Sequence, residues 1–190
     1  MTNESNTPLP PLALSVRQPW AWAIIHGGKT IENRTLGAIR TGNMDCRTIC
    51  IHAATGMREK EYRWAVWKLQ SIDVALPPPA DLIRGGIIGT VDVVDIVIEE
   101  TCPESHKPWF GGPYGLLLEN PKPLEPIPAV GELGYFKWEA AGAFKPPASW
   151  MSRYAPKIEG NGTLGLFDDL PIAFETPPEK PFGTSKRSKK

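Results

Sequence analysis

Short apolar segments separated by turn-rich joints constrain the fold of this 190-residue chain more than any other feature. The segments 12–17, 47–54, 87–98 and 114–121 have the composition of strands, and the joints between them are rich in Gly and Pro. Strands therefore outnumber helices, and their close spacing does not fit repeated βαβ units. We predict an α+β fold, a small mixed β-barrel with two or three helices and a C-terminal extension.

Two segments have the pattern of helices. Residues 18–28, QPWAWAIIHGG, join a proline suited to a first helical turn to two glycines suited to a left-handed stop. The helix predicted over 57–72 has an apolar stripe formed by Tyr62, Ala65, Val66 and Leu69. Trp64 and Trp67 project from its opposite side. We expect them to cover another part of the fold, such as the C-terminal extension; the alternative is that they are exposed residues available for stacking.

Composition divides the chain into four parts. Residues 1–11 are polar and proline-rich, which predicts a flexible leader. Residues 12–138 hold the predicted strands and helices and form the domain. Apolar periodicity fades after that point, so we predict a semi-ordered extension over 139–175 and a disordered basic tail over 176–190.

The sequence predicts a cytoplasmic protein that makes no contact with a membrane. Its first residues lack the features of a secretory signal, and no apolar run approaches the roughly 20 residues that span a bilayer. The odd number of cysteines favours a reducing compartment. Cys46, Cys50 and Cys102, with His52 and His106, are metal-ligating residue types, but their spacing fits no regular zinc knuckle. We therefore predict no metal and no cofactor.

Charge is balanced over the whole chain and uneven along it. Residues 12–70 hold nine basic and four acidic side chains, whereas residues 72–104 hold one basic and seven acidic. The last fifteen residues hold five basic and one acidic. One interpretation is a nucleic-acid footprint confined to one half of the domain, and the other is a dipolar surface without a partner.

The stretch HGGKTIENR, residues 26–34, concentrates charge directly after the predicted helix. In a strand that starts near Thr30, Glu32 and Arg34 share a face and can form an ion pair, while Lys29 lies in the turn. An oriented guanidinium beside an ammonium group can contact a phosphate or a base edge. The alternative interpretation is a salt bridge that only stabilises the strand.

The segment LSVRQPWAWAIIHGGKTIENR resembles the opening of ASCH-domain proteins, whose signature is G-x-K-x-x-E-x-R. Gly27, Lys29, Glu32 and Arg34 occupy the four signature positions. The blocks IHAA, GGIIGTVDVVD, PWFGGPYGLLLENP and GELGYF are similar to later blocks of longer members, so the resemblance covers about residues 12–138. It implies a PUA-like barrel with a cleft beside the motif. It also implies that the ligand is RNA, another single-stranded nucleic acid or a modified nucleoside.

Two hydrolytic activities follow from the resemblance, removal of the acyl group of N4-acylcytidine and cleavage of single-stranded RNA. Lys29, Glu32 and Thr30 are the candidate catalytic residues; in the acetylcytidine hydrolases a threonine stands at the position of Glu32. The candidate nucleic-acid-binding residues are Arg17, Gln18, Lys29, Arg34, His52, Trp109 and Tyr114. A non-catalytic reader that binds a modified base and leaves it unchanged is the alternative to an enzyme.

A third interpretation is an adaptor that recruits a DNA-repair or replication protein. Leu164, Leu166 and Phe167 form an apolar triplet in the polar stretch GNGTLGLFDDL. The triplet resembles the Q-L-x-L-F peptide by which many bacterial repair proteins bind the sliding clamp, with Thr163 in place of the glutamine. Docking of the triplet on the domain itself is the alternative.

Overall fold

The computed structural model describes residues 8–154. The predicted basic tail and the apolar triplet Leu164, Leu166 and Phe167 lie outside the described residues. The elements are β1 (Leu12–Arg17), α1 (Trp20–Ile25), β2 (Ile31–Arg34), α2 (Leu36–Thr41), β3 (Arg47–Ala54), α3 (Glu59–Gln70), β4 (Gly86–Val97), a 3-10 helix (Glu104–Trp109), β5 (Tyr114–Pro128), β6 (Tyr135–Lys137) and a second 3-10 helix (Ser149–Tyr154). Among these residues, no helix has the length and apolar character needed to cross a membrane.

All six strands belong to one mixed sheet with the order β2-β5-β4-β3-β1-β6. β1 and β3 are parallel, and every other neighbouring pair is antiparallel. The sheet curves into a half-barrel with a few helices, which confirms the predicted α+β class. The four predicted strands correspond to β1, β3, β4 and β5, and the last of these continues to Pro128.

Side chains of β1 and β3 alternate between the two faces of the sheet, and both faces are packed. The main core includes Leu14, Val16, Ile24, Ile49 and Ile51. On the other face, Ala13 and Cys50 pack with Phe136. Each fully buried aliphatic side chain contributes about 1.5–3 kcal/mol relative to exposure. Helix α1 packs against this core, so the charged segment that follows it starts from a fixed position.

Helix α3 has the predicted apolar stripe, and all four of its members are buried. The second 3-10 helix packs on this stripe, where the ring of Tyr154 lies 5.1 Å from the ring of Tyr62. As far as Tyr154, the C-terminal extension therefore contacts the opposite side of α3 from Trp64 and Trp67. The expectation that these two tryptophans are covered by the extension is not met by its described part.

Packed structure continues past the predicted end of the domain at Trp138. Arg84 donates hydrogen bonds to the carbonyls of Thr55 and Pro146, and the amide of Lys145 donates to the carbonyl of Arg84 at 2.8 Å. Met151 is fully buried. These contacts join residues 139–154 to the domain through loops and a short 3-10 helix, which have no regular apolar period to reveal them.

Candidate functional site

A cleft of about 710 Å³ lies beside the charged segment. Residues from the end of β1, from α1, from β2, from α3 and from the loop after the first 3-10 helix line it. Four basic side chains, Arg17, Lys29, Arg34 and Lys68, face two acidic ones, Glu32 and Glu61, so the lining has an excess of two positive charges. The cleft is thus assembled from sequence-distant parts and is electropositive although the whole chain is neutral.

The floor of the cleft is a cluster of three charged side chains, Lys29, Glu32 and Arg34. Lys29 Nζ lies 2.8 Å from Glu32 Oε2, and Arg34 Nη2 lies 3.1 Å from Glu32 Oε1. The predicted ion pair between Glu32 and Arg34 is present, and Lys29 joins it. The Lys29 ammonium also donates to the carbonyl of Ile31. One carboxylate thus holds two cations in fixed directions.

A left-handed turn brings Lys29 into this cluster. Gly28 has a φ of +68°, a conformation that glycine adopts at little cost. The amide of Lys29 then donates to the carbonyl of Ala23 in α1 at 2.9 Å, which closes the helix end. The chain therefore turns back from the helix directly into β2, and the lysine side chain lies over the first residues of that strand.

Burial and charge act in opposite directions on the two ionisable partners. Burial lowers the pKa of the Lys29 ammonium; the Glu32 carboxylate opposes this effect, and the Arg34 cation adds to it. Burial alone would raise the pKa of the Glu32 carboxyl, but the two neighbouring cations and their hydrogen bonds lower it below its usual range. Glu32 is therefore ionised at neutral pH. The cluster therefore has one cation in excess.

Arg34 also joins β2, at one end of the sheet, to β1, the last strand but one at the other end. Its Nη2 donates to the carbonyl of Ser15 in β1 at 3.0 Å, although β2 and β1 are not neighbours in the sheet. The Nε atoms of Arg34 and Arg17 are buried without a hydrogen-bond partner among residues 8–154. Buried donors of this kind are rare and are commonly explained by a missing acceptor. Both belong to side chains that line the same cleft.

Tryptophans of α1 and α3 form one wall of the cleft. The rings of Trp20 and Trp64 meet edge to face at 5.5 Å, and the rings of Trp64 and Trp67 are 6.3 Å apart. Arg17 is held beside this wall by an ion pair with Glu61 at 2.7 Å. Trp20, which also packs against the core, thus forms one continuous aromatic surface with Trp64 and Trp67.

Another wall of the cleft is the segment from Pro108 to Gly111, and Asn33 holds it in place. Asn33 Nδ2 donates to the carbonyl of Trp109 at 2.9 Å, and its Oδ1 accepts from the amide of Gly111 at 2.9 Å. Because Asn33 lies between Glu32 and Arg34 in β2, the same strand positions the charged floor and this wall. Trp109 and Phe110 face the cleft from there.

The structure brings most of the sequence-predicted site residues together. Those that line the cleft are Arg17, Gln18, Lys29, Glu32, Arg34 and Trp109. Gln18 is already engaged at both ends, since its Nε2 donates to the carbonyl of Ile83 and its Oε1 accepts from the amide of Trp22. Its amide therefore fixes the start of α1 and is not free for a ligand.

Three predicted residues lie outside the cleft lining. The hydroxyl of Thr30 hydrogen-bonds His106 Nδ1 at 2.8 Å. Tyr114 packs against the main core at the start of β5. His52 is buried, and burial lowers its pKa; its Nε2 donates to the carbonyl of Ala129 at 3.1 Å and its Nδ1 accepts from Ser15 Oγ at 3.0 Å. Ser15 and His52 line a separate cavity of about 430 Å³.

Lining residues that were absent from the sequence-based set of site residues include Asn33, Glu61, Trp64, Trp67 and Lys68. Glu61 positions Arg17 through their ion pair. Asn33 positions the loop at Trp109 through its two hydrogen bonds. The two tryptophans had a usable signal, because their place opposite the apolar stripe of α3 left exposure for stacking as the alternative interpretation. Their proximity to the charged motif could be seen only after the fold had brought α3 beside β2.

The half-barrel and the cleft beside its charged strand define a small PUA-like α+β domain. Residues 14–143 match the ASCH domain, and the chain belongs to the ASCH-domain family. Membership of this family suggests an RNA-binding function. A comparison with curated proteins gave no match.

Proposed function

We propose that the cleft binds an unpaired base of single-stranded RNA, or a modified nucleoside, over the floor formed by Lys29, Glu32 and Arg34. The observation that carries the proposal is a buried, directionally fixed charge cluster inside a tryptophan-lined cleft. Such a cluster is costly to bury, because desolvation of three charges offsets much of their attraction. Binding of a ligand to the fixed donors and the carboxylate explains why the cluster is buried despite this cost.

Charge favours an anionic ligand. The lining has an excess of two positive charges, and the floor itself holds one of them. A phosphate oxygen near Lys29 and Arg34 would compensate the excess charge and would supply an acceptor for guanidinium donors. Salt-dependent binding of a polyanion follows from this, even though the protein as a whole is neutral.

Hydrogen-bond chemistry favours a base with an exocyclic amino group. Glu32 is ionised, so its carboxylate can only accept, whereas Lys29 and Arg34 can only donate. A base edge that presents an amino donor beside a ring acceptor, as cytosine and adenine do, matches this pattern. Trp109 and the tryptophans of α1 and α3 provide flat apolar surfaces in the lining, on which a base can stack.

Replacing Arg34 with Ala is expected to weaken binding of a fluorescein-labelled single-stranded RNA decamer about tenfold and to reduce the salt dependence by roughly one unit of slope. Arg34→Lys keeps the charge but loses the planar fork, so we expect an intermediate affinity. Fluorescence anisotropy at several salt concentrations measures both quantities. A second decamer with N4-acetylcytidine at one position measures any preference for a modified base.

Arg47→Ala is the matched control for this experiment. It removes the same charge from an exposed pair with Asp45, and it does not line the cleft. Circular dichroism confirms that each variant is folded at the temperature of the titration. Equal affinities of Arg34→Ala, Arg47→Ala and the wild type would contradict binding at this floor.

Hydrolysis of an acylated cytidine is the second candidate function, and the lowered pKa of buried Lys29 favours it. Once deprotonated, a lysine amine can act as a base toward water or another nucleophile. Incubation with N4-acetylcytidine, followed by mass analysis, detects release of acetate and cytidine. If the protein is this enzyme, Lys29→Met abolishes turnover while Arg47→Ala retains it; a wild type that binds without turnover is a reader. The same analysis with labelled RNA tests for strand cleavage.

An adaptor role through Leu164, Leu166 and Phe167 remains a prediction that lies outside the described residues. Capture of a purified bacterial sliding clamp by the wild type and its loss in Phe167→Ala would support it.

A further inference from the structure

The outer face of α3 carries aromatic and basic side chains together. Trp64 and Trp67 are three residues apart, and Lys60 and Lys68 lie four residues on either side of Trp64, so these positions share one side of the helix. Trp64, Trp67 and Lys68 line the cleft and are partly exposed. The face therefore combines ring surfaces with ammonium groups at the cleft wall.

Packing of the core does not account for these tryptophans. The buried side of α3 is already formed by Tyr62, Ala65, Val66 and Leu69 (all four are buried). Trp64 and Trp67 belong to none of the four apolar clusters among residues 8–154, nor to the partly buried side chains packed against them. The ring of Trp64 contacts the rings of both Trp20 and Trp67. They form a continuous aromatic surface that is open to the cleft.

The cleft is larger than one base requires. Its volume of about 710 Å³ falls within the roughly 300–1,000 Å³ range of pockets that enclose drug-sized ligands. The charged floor lies on β2, whereas Lys68 lies in the last turn of α3, four residues after Trp64. A ligand that contacts both spans two separate elements of the lining, and Lys68 offers a cation for the phosphate that joins two nucleotides.

We propose that Trp64, Trp67 and Lys68 form a second subsite, which stacks the base next to the one held over Lys29, Glu32 and Arg34. The preferred ligand is then a single strand of at least two nucleotides and not a free nucleoside. This inference rests on the proposed function of the cleft. Aromatic stacking accepts any base, so the second subsite adds affinity and direction along the strand, whereas the charged floor selects the base.

The test compares cytidine with the dinucleoside monophosphate CpC as probes, each titrated into isotopically labelled protein and followed by NMR. For the wild type we expect CpC to bind at least about tenfold more tightly than cytidine, as one stacked base contributes. In Trp67→Ala and in Trp64→Ala, the ratio of the affinity for CpC to the affinity for cytidine is expected to fall toward one. Trp67→Phe keeps a stacking ring and should retain most of the preference.

Matched controls separate this subsite from the charged floor. Lys122→Ala removes an exposed cation that does not line the cleft, for comparison with Lys68→Ala. Trp138→Phe changes a tryptophan outside the lining. Arg34→Ala should weaken binding of both probes.

Two outcomes overturn the inference in distinguishable ways. If Arg34→Ala weakens both probes while the tryptophan variants leave the ratio at its wild-type value, the second subsite is wrong and the proposed function stands. If the wild type binds neither probe nor the RNA decamer, the proposed function fails and this inference fails with it.

Discussion

Replacing Glu32 with Gln is expected to destabilise the domain by about 3 to 5 kcal/mol, the usual result of removing one partner from a buried ion pair. Glu32 is the only carboxylate in the floor, and both Lys29 and Arg34 depend on it. The side chain of Lys29 is 5% exposed and that of Arg34 is 20% exposed, so neither cation can recover much hydration in place. The amide would leave two like charges close together in a site that excludes most water.

Urea unfolding followed by tryptophan fluorescence measures this change. Asp45→Asn is the control, because it removes the carboxylate of an exposed ion pair with Arg47 and should have little effect. Combining Lys29→Met with Glu32→Gln removes one of the two stranded cations, so the double variant is expected to be more stable than Glu32→Gln alone. A Glu32→Gln protein as stable as the wild type would show that the cluster is not buried as described.

The loss of stability caused by Glu32→Gln is expected to depend on pH. The folded-state pKa of Glu32 is lowered, so the unfolded state takes up this proton first as the pH falls. The stabilising contribution is complete above the unfolded pKa of about 4.3 and is lost as the pH falls from there toward the folded pKa. The difference in stability between wild type and Glu32→Gln should therefore narrow below about pH 4. If the stability difference between wild type and Glu32→Gln does not change below about pH 4, the pKa of Glu32 is not lowered in the folded state.

The period and spacing of apolar residues predicted the strands and the core face of α3, because those features depend on neighbours along the chain. The ion pair between Glu32 and Arg34 followed from strand alternation in the same way. Lys29 joins that pair through a left-handed turn and a hydrogen bond to Ala23, and neither is a periodic signal. The sequence therefore indicated two members of the cluster by geometry and the third only by resemblance.

Contacts between distant segments account for what sequence reasoning missed. His52 is opposite Ser15 because β1 pairs in parallel with β3, and nothing local in either strand specifies that partner.

Helix α2 was missed although it has a local signal, Thr35, whose hydroxyl accepts from the amide of Ala38 at 3.1 Å. Its six residues are too few for a recognisable apolar period, and only Ile39 among them is buried.

The block GELGYF, one of the family-like segments, has a steric reason for its second glycine. Gly134 precedes β6 with a φ of +74°, and a Cβ atom there would overlap the Cα of Gly42 at the end of α2. A Cβ on Gly42 would in turn lie 2.7 Å from the Cα of Gly134. The two backbones meet at this point, and the amide of Tyr135 donates to the carbonyl of Gly42 at 2.9 Å.

Gly134→Ala is therefore expected to destabilise the domain more than Gly142→Ala, which is its matched control. Gly142 has the same φ of +74°, but the nearest atom to an added Cβ is 3.9 Å away. Gly142→Ala should cost only the left-handed conformation, about 1–2 kcal/mol. Gly134→Ala adds an overlap with backbone, which no side-chain rotation can relieve, and overpacking typically costs about 1–3 kcal/mol more.

Urea unfolding measures the loss of stability in each variant. The difference between the two losses gives the cost of the steric overlap, because the backbone strain is common to both. RNA affinity of the folded Gly134→Ala protein should stay close to the wild-type value, since neither Gly42 nor Gly134 lines the cleft. Equal losses of stability in the two variants would mean that α2 and the start of β6 can separate without cost. In that case the close approach of their backbones would not be what requires glycine in this block.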